Sequence, residues 1–302
     1  MLYTENDTLV FRFDDHQLRI QPWGQNSLRV RATKRPNFEQ QNWALLEPDK
    51  TSPNITIPSQ QHDGGAEARI SNGTINATLS LLGKLTIYNK QGTKLLEEYA
   101  RHRRDPKDPK CSALNIEARE LRPILGGDYH LTLRLESLDP TEQIFGMGQY
   151  QQPHLDLKGS DIELAQRNSQ ASVPFALSSR GYGFLWNNPA IGRAVLGKNV
   201  MSFEAYSTKE LDYWVTAAET PAEIVQAYAR ATGYVPMMPE YGLGFWQCKL
   251  RYWNQEQVLE VAREYRRREL PIDLIVVDFF HWRNQGDWSF DPEFFPDPGR
   301  FD

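Results

Sequence analysis

At Thr220 the hydrophobic period of this chain changes, and the change divides it into a β-rich part followed by an α/β part. Before that point, short runs alternate apolar and polar residues with turn chemistry between them: LVFRF (9–13), HQLRIQPW (16–23) and SLRVRAT (27–33). Residues 68–99 read as successive hairpins that turn at Asn72-Gly73 and between Asn89 and Gly92. YHLTLRLES, SVPFALSS, GYGFLWNN, RAVLG, VMSFEAY and LDYWVTAA continue the pattern. Many short strands with regular turns predict a two-sheet sandwich over residues 1–218. Residues 36–65 show no period and read as an insertion loop, and the basic run 101–110 as a solvated loop.

From Thr220 the signals are helical. Thr220, Pro221 and Glu223 form an N-terminal capping pattern, Ile224, Val225, Ala227 and Tyr228 make a stripe, and Gly233 supplies a stop. Residues 219–239 are therefore expected to be a linker helix and loop. Residues 240–302 then predict a strand (241–248), a helix and a second strand (272–280). Asn254 caps the helix, Val258, Val261, Ala262 and Tyr265 line one face, Glu264 pairs with Arg268, and Leu270-Pro271 ends it. The second strand, IDLIVVDFF, is nearly all apolar, as a parallel strand covered on both faces would be. A strand–helix–strand connection of this kind is right-handed.

Composition removes several function classes. A formal net charge of −5 gives no support for a nucleic-acid partner. No run approaches the roughly eighteen apolar residues of a membrane span. The N-terminus has neither a basic nor an apolar leader segment, so a cytoplasmic location is expected, with secretion left open. The sequons at Asn6, Asn54, Asn72 and Asn76 are then read as chance matches. Two cysteines, Cys111 and Cys248, are too few for a disulfide framework. The six histidines are scattered without metal-ligand spacing, and there is no nucleophile elbow, phosphate loop or dinucleotide fingerprint. No metal or cofactor is expected. The sequence leaves a homo-oligomer open.

The residue with chemistry in it is Asp278. A carboxylate that ends an apolar strand is costly unless it emerges at a solvated or ligand-filled rim, and strand ends are where parallel α/β folds place ligands. Phe279, Phe280, His281 and Trp282 follow it, with Trp288 and Phe290 soon after. A carboxylate accepting sugar hydroxyls beside rings that stack on C–H faces suits carbohydrate. A purely structural role, Asp278 bonded to a neighbouring loop, is the competing reading. Asp273, at the strand start, reads as facing solvent or capping a loop. Asp287, Asp291 and Asp297 occur in a proline-rich loop and read as turn formers.

GLGFWQCKLRYWNQEQ, IDLIVVDFFHW and GDWSFDPEFFPDP, together with IFGMGQYQQPHLDLKG and RNSQASVPFALSSRGYGFLWNNPAIG, resemble glycoside hydrolase family 31. The resemblance is strong over about 140–302 and looser before. It implies a galactose-mutarotase-like β-sandwich followed by a (β/α)8 barrel, of which this chain holds the first strand–helix–strand unit. It also implies retaining hydrolysis of a terminal α-linked sugar without a cofactor. By position, Asp278 matches the family's aspartate that binds hydroxyls of the cleaved sugar. Phe279, Phe280 and Trp282 fall where that subsite is shaped, and Trp246 lies on a first-strand segment approaching it. A sandwich loop within 149–168 would reach the same pocket. The two catalytic aspartates sit on later barrel strands, and no position here matches either. The substrate expected is an α-xyloside oligosaccharide, with α-glucoside as the alternative, because Phe279-Phe280 opposes a hydroxymethyl group. The reading from another class is a non-catalytic carbohydrate-binding or interaction protein derived from the family.

Overall fold

The structure, a computed structural model, describes residues 1–58, 67–101, 112–279 and 281–301. It forms two compact units, residues 1–234 and 235–302. The first four strands of unit one, β1 (Leu2–Glu5), β2 (Thr8–Phe13), β3 (His16–Pro22) and β4 (Ser27–Thr33), run as an antiparallel meander. Asn6, Asp7, Asp14 and Asn26 take positive φ at its turns, a conformation short polar side chains tolerate. A second meander follows: β5 (Asn54–Thr56), β6 (Glu67–Asn72), β7 (Ile75–Ser80), β8 (Leu85–Tyr88) and β9 (Lys94–Glu97). The remaining strands are β10 (Arg119–Pro123), β11 (Tyr129–Glu136), β12 (Ile144–Gln149), β13 (Asp161–Leu164), β14 (Ala171–Ser178), β15 (Tyr182–Trp186), β16 (Gly192–Leu196), β17 (Val200–Thr208) and β18 (Leu211–Ala217).

One sheet has eight strands in the order β1-β2-β3-β4-β18-β15-β14-β12. The others have five each: the β5–β9 meander, and β10-β11-β17-β16-β13. The two smaller sheets meet where Glu98 bridges Leu135 and the Tyr99 amide donates to the Arg134 carbonyl at 2.9 Å. A single buried cluster draws on all three, including Leu9, Ile20 and Val30, Ile70 and Ile87, and Leu131 and Phe203. This is a sandwich with one continuous core.

The eight-stranded sheet is also covered on its outer face. The helix α1 (Pro221–Thr232) starts at a complete capping box: Thr220 Oγ1 accepts from the Glu223 amide and Glu223 accepts from the Thr220 amide. Gly233 ends it at φ 108°. Its Ile224 is buried with Trp23, Leu45, Phe175, Leu185 and Trp214, and Ala227, Tyr228 and Ala231 pack against that cluster. Val225, expected in the buried stripe, is exposed instead. Residues 36–58 do more than loop over the surface: Leu45 and Phe38 are buried and β5 adds a strand beside β6. Of the sequons, Asn72 is buried, its Nδ2 donating to the Gly24 and Ser27 carbonyls, so it is no glycan acceptor. The basic run beyond Arg101 and Cys111 lie outside the described residues; Cys248 is exposed.

Unit two contains β19 (Trp246–Cys248), α2 (Gln255–Arg267) and β20 (Leu274–Val276). β19 and β20 pair in parallel, Trp246 opposite Leu274 and Cys248 opposite Val276. Both strands are shorter than the apolar runs predicted, because Pro239 leads into a 3-10 turn over Glu240–Leu243 and each strand has only one neighbour to pair with. Asn254 caps α2, accepting from the Gln257 amide at 3.0 Å, and Glu264 receives Arg268 at 2.5 Å as expected. A small core of Tyr252, Val258 and Phe295 lies against Val261, Ile275 and Val277, which are only partly covered. The parallel pair begins a barrel and does not close one. Among the described residues, no helix is long and apolar enough to cross a membrane.

Candidate functional site

Asp278 stands just past the C-terminal end of β20 and is exposed. Its Oδ1 accepts from the Phe279 amide at 2.8 Å, and among the described residues its Oδ2 has no hydrogen-bond partner. Phe279 has φ 25°, in the left-handed region that a bulky residue occupies only when its surroundings hold it there. One carboxylate oxygen thus holds the backbone bend at Phe279, on an exposed side chain. The Trp282 ring meets Phe279 edge-on at 6.1 Å between centroids, and His281 packs edge-on to Trp282 at 4.6 Å. The Nδ1 of His281 is buried and has no hydrogen-bond partner among the described residues. Phe280 lies outside the described residues.

Trp246 is not brought to this group. Its register places it opposite Leu274, four residues before Asp278, or about 13 Å along the strand direction. Its indole Nε1 instead donates to the Tyr241 carbonyl at 3.1 Å, tying the 3-10 turn to β19. The residue at the C-terminal end of β19 is Cys248. Asp273, at the opposite end of β20 from Asp278, caps a loop: its Oδ2 accepts from the Phe245 amide at 2.8 Å. A Cβ at Gly244 would lie 2.0 Å from that oxygen, so the approach requires glycine.

The loop after β20 returns to the unit by a few fixed bonds. The Asp291 amide donates to the His281 carbonyl at 2.7 Å, and Phe295, 1% exposed, plugs the core beneath. Gln255 stitches this loop to the start of α2, its amide donating to the Phe294 carbonyl and its Oε1 accepting from the Asp297 amide, both at 2.9 Å. Asp291 behaves as the turn former expected, its Oδ1 accepting from the Glu293 amide at 3.0 Å. Asp287 accepts from the Ser289 hydroxyl at 2.8 Å. Among the described residues, no three His, Cys, Asp or Glu side chains group as metal ligands.

Unit one holds a buried polar cluster that apolar patterning could not reveal. Glu142, in the turn before β12, accepts from Lys158 Nζ at 2.7 Å, Ser178 Oγ at 2.5 Å and Tyr182 OH at 2.6 Å. The Lys158 and Glu142 side chains are 3% and 0% exposed. Burial, with the Glu142 charge beside it, drives the Tyr182 phenol well above its ordinary pKa, so it stays a donor. Asp156 reinforces the anchor, its Oδ1 accepting from the Ile144 and Lys158 amides. Together these pin the 156–160 segment to the sandwich and leave Gln151–Leu155 exposed. A separate cleft of about 720 Å³ in unit one is lined by Trp23, Arg180, Glu223 and Arg230 among others, and none of the predicted site residues line it.

Residues 17–193 match the glycosyl hydrolase 31 N-terminal galactose mutarotase-like domain, and residues 235–301 match the glycosyl hydrolases family 31 TIM-barrel domain. The first match alone covers more than half of the chain, which therefore belongs to glycosyl hydrolase family 31. An uncharacterized family 31 glucosidase of Pseudescherichia vulneris is 50% identical over 300 residues, covering 97% of this chain and 55% of that protein. Alpha-xylosidase A of Aspergillus niger is 39% identical over 163 residues, 53% of this chain and 22% of that protein. A GH31 alpha-xylosidase from a soil metagenome, solved with xylose, superposes with a TM-score of 0.87 at 53% identity, covering 99% of this chain and 44% of that one. The chain thus spans about half or less of the length of these relatives, and what it spans is the N-terminal region and the barrel start.

Proposed function

We propose that this chain supplies the sandwich and the substrate-gripping start of the barrel of a retaining α-glycosidase that removes terminal α-linked xylosyl residues from oligosaccharides. The observation that carries the reading is Asp278: an exposed carboxylate at the C-terminal end of a parallel strand, one oxygen unpartnered among the described residues, beside Phe279 and Trp282. Its Oδ2 accepts hydroxyls of the sugar to be cleaved, and the rings cover a C–H face. Phe279 opposes a hydroxymethyl group and so favours a pentose over glucose. The relative solved with xylose and the relatives named as alpha-xylosidases support that preference. Nucleophile and acid/base, about 5 Å apart in retaining enzymes, come from barrel strands that match nothing in these 302 residues.

Two assays test this. A polypeptide of these 302 residues should not turn over an aryl α-xyloside; measurable turnover contradicts the assignment of the catalytic pair. Joined to the remaining barrel of the Pseudescherichia relative, the same residues should hydrolyse the xyloside in preference to the glucoside by about tenfold or more. Phe279→Ala should narrow that ratio. A preference for glucoside in the joined protein overturns the pentose reading. An active joined enzyme indifferent to loss of Asp278 overturns the role of that residue and returns the segment to a structural one.

A further inference from the structure

Arg29, Arg31, Glu210 and Asp212 on the outer face of the eight-stranded sheet are not left to solvent, because residues 37–47 lie over them. None of these covering residues belongs to a strand or helix, so the backbone groups of this strap must find partners elsewhere. They find them on side chains of the sheet. The Glu39 amide donates to Glu210 at 2.9 Å, and the Glu39 carbonyl accepts from Arg31. Asn187 brackets the turn at Trp43: its Oδ1 accepts from the Ala44 amide at 3.3 Å and its Nδ2 donates to the Asn42 carbonyl at 3.1 Å. That bracket holds Trp43 at φ 54°, a conformation costly for a bulky residue. Asn187 is itself fixed by Asp212 at 2.7 Å, and Asp212 by the Arg29 guanidinium, whose Nη1 also donates to Asn42 Oδ1 at 2.8 Å. Phe38 secures the near end of the strap, with the Arg19 and Arg31 guanidiniums over its ring at 5.1 and 4.9 Å from the centroid.

The far end of the strap reaches α1. Trp214 Nε1 donates to the Trp23 carbonyl at 3.1 Å, Trp23 Nε1 to the Leu46 carbonyl at 3.2 Å, and the Leu46 amide to the Ala231 carbonyl at 2.8 Å. Ala231 lies in the last turn of α1, where carbonyls have no partner within the helix. Leu45 is buried in the same cluster as Ile224 of α1. A helix of 12 residues is marginal by itself in water, and a strap without a ladder has no order of its own. Each therefore depends on a surface that the other helps to form.

We infer that the strap and α1 form one latch that closes on the sheet as a unit and opens as a unit, with Asn187 as its clasp, while the sandwich beneath stays folded. Opening bares Trp23, Phe175 and Trp214 and frees the chain at Gly233, one residue before unit one ends at Tyr234. Cooperative openings of this kind cost less free energy than global unfolding. The latch is independent of sugar binding at Asp278.

Native-state hydrogen exchange of the 302-residue chain in low urea tests the latch. The Ala44 and Leu46 amides should share one opening free energy and one urea dependence with the amides of residues 228–231 in α1, below those of β4 and β18. Asn187→Ala should speed exchange at residues 228–231 about tenfold or more, although among the described residues the Asn187 side chain bonds only the strap and Asp212. Ala227→Gly, on the helix, should in turn speed the Ala44 and Leu46 amides about fivefold, because coupling is reciprocal. Should Asn187→Ala prevent folding, the Ala227→Gly arm still decides. Strap amides that ignore Ala227→Gly, or α1 amides that ignore Asn187→Ala, overturn the latch and leave two separate elements. One urea dependence common to strap, α1, β4 and β18 overturns it as well, since nothing then opens short of global unfolding.

Discussion

The two units of this chain obtain their order in different ways. Unit one buries both faces of its central strands: every residue of β18 and all but one of β4 are buried, between a continuous sandwich core on one side and α1 with residues 36–49 on the other. Unit two has a single pair of short parallel strands, and β20 is only half-buried along its length. Parallel strands are stable when covered on both faces, so unit two depends on its caps, its stitched loops and three buried side chains. The difference lies in what holds each unit: a continuous apolar core in unit one, and caps with backbone-anchored loops around three buried side chains in unit two, whose less buried strand carries Asp278.

The comparison can be broken most forcefully at Glu142. Replacing it with Gln leaves the Lys158 ammonium buried without its counter-charge, and unfolding of unit one in urea should lose about 3–5 kcal/mol. A loss below about 1 kcal/mol would mean that water reaches this cluster.

Truncations of matched residues sharpen the contrast. Ile70→Ala in the sandwich core, fully buried, should cost about 2–5 kcal/mol, whereas Ile275→Ala in half-buried β20 should cost about 1 kcal/mol or less in unit two's own transition. Equal costs would show that unit two is as well packed as unit one. Thr220→Ala, which removes one side of the α1 capping box, should cost about 1 kcal/mol.

The smallest effect expected is a pH response at the end of α2. The Arg267 and Arg268 guanidiniums hold the Glu264 carboxyl down at about 2, from an ordinary 4.5. A depressed carboxyl pKa contributes stability that is present above the ordinary value and is lost as pH falls towards the folded one. Helicity of α2 should therefore decline modestly between about pH 4.5 and 2, and Glu264→Gln should flatten that decline. Because the pair is open to solvent on the helix surface, salt should weaken the effect.

Much of this was legible in the sequence, and what was not has identifiable physical causes. Alternating runs found β2, β3, β4 and the β6–β9 hairpins because each sends apolar side chains into the core. The pattern failed at β12, whose Gly146 and Gly148 at φ 95° break the register against β14 and leave no period to read. It gave no sign that Arg29 of β4 is buried. That side chain is 1% exposed, paired with Asp212 at 2.6 Å and stacked on Trp23. Charges buried in pairs look like solvent-facing charges until the fold brings the partners together, and Arg29 and Asp212 are far apart in the chain. In unit two the caps and the parallel order were readable, but strand length was not, since it depends on neighbouring strands. Asp278 was singled out by the cost of a carboxylate after an apolar run, and the structure leaves it exposed just past β20. Trp246 was assigned to the same site by the family resemblance, whereas the strand register places it opposite Leu274, at the far end of β20 from Asp278.

The central claim, that Asp278 is a sugar ligand and not merely a backbone cap, is tested most directly by the carboxylate resonance of that side chain in the 302-residue chain titrated with xylose. A saturable shift at Asp278 is expected, weakened by Asp278→Asn as read on Trp282, with the β4 and β18 amides of unit one unmoved. An Asp278 resonance that stays fixed while xylose shifts residues elsewhere would contradict it.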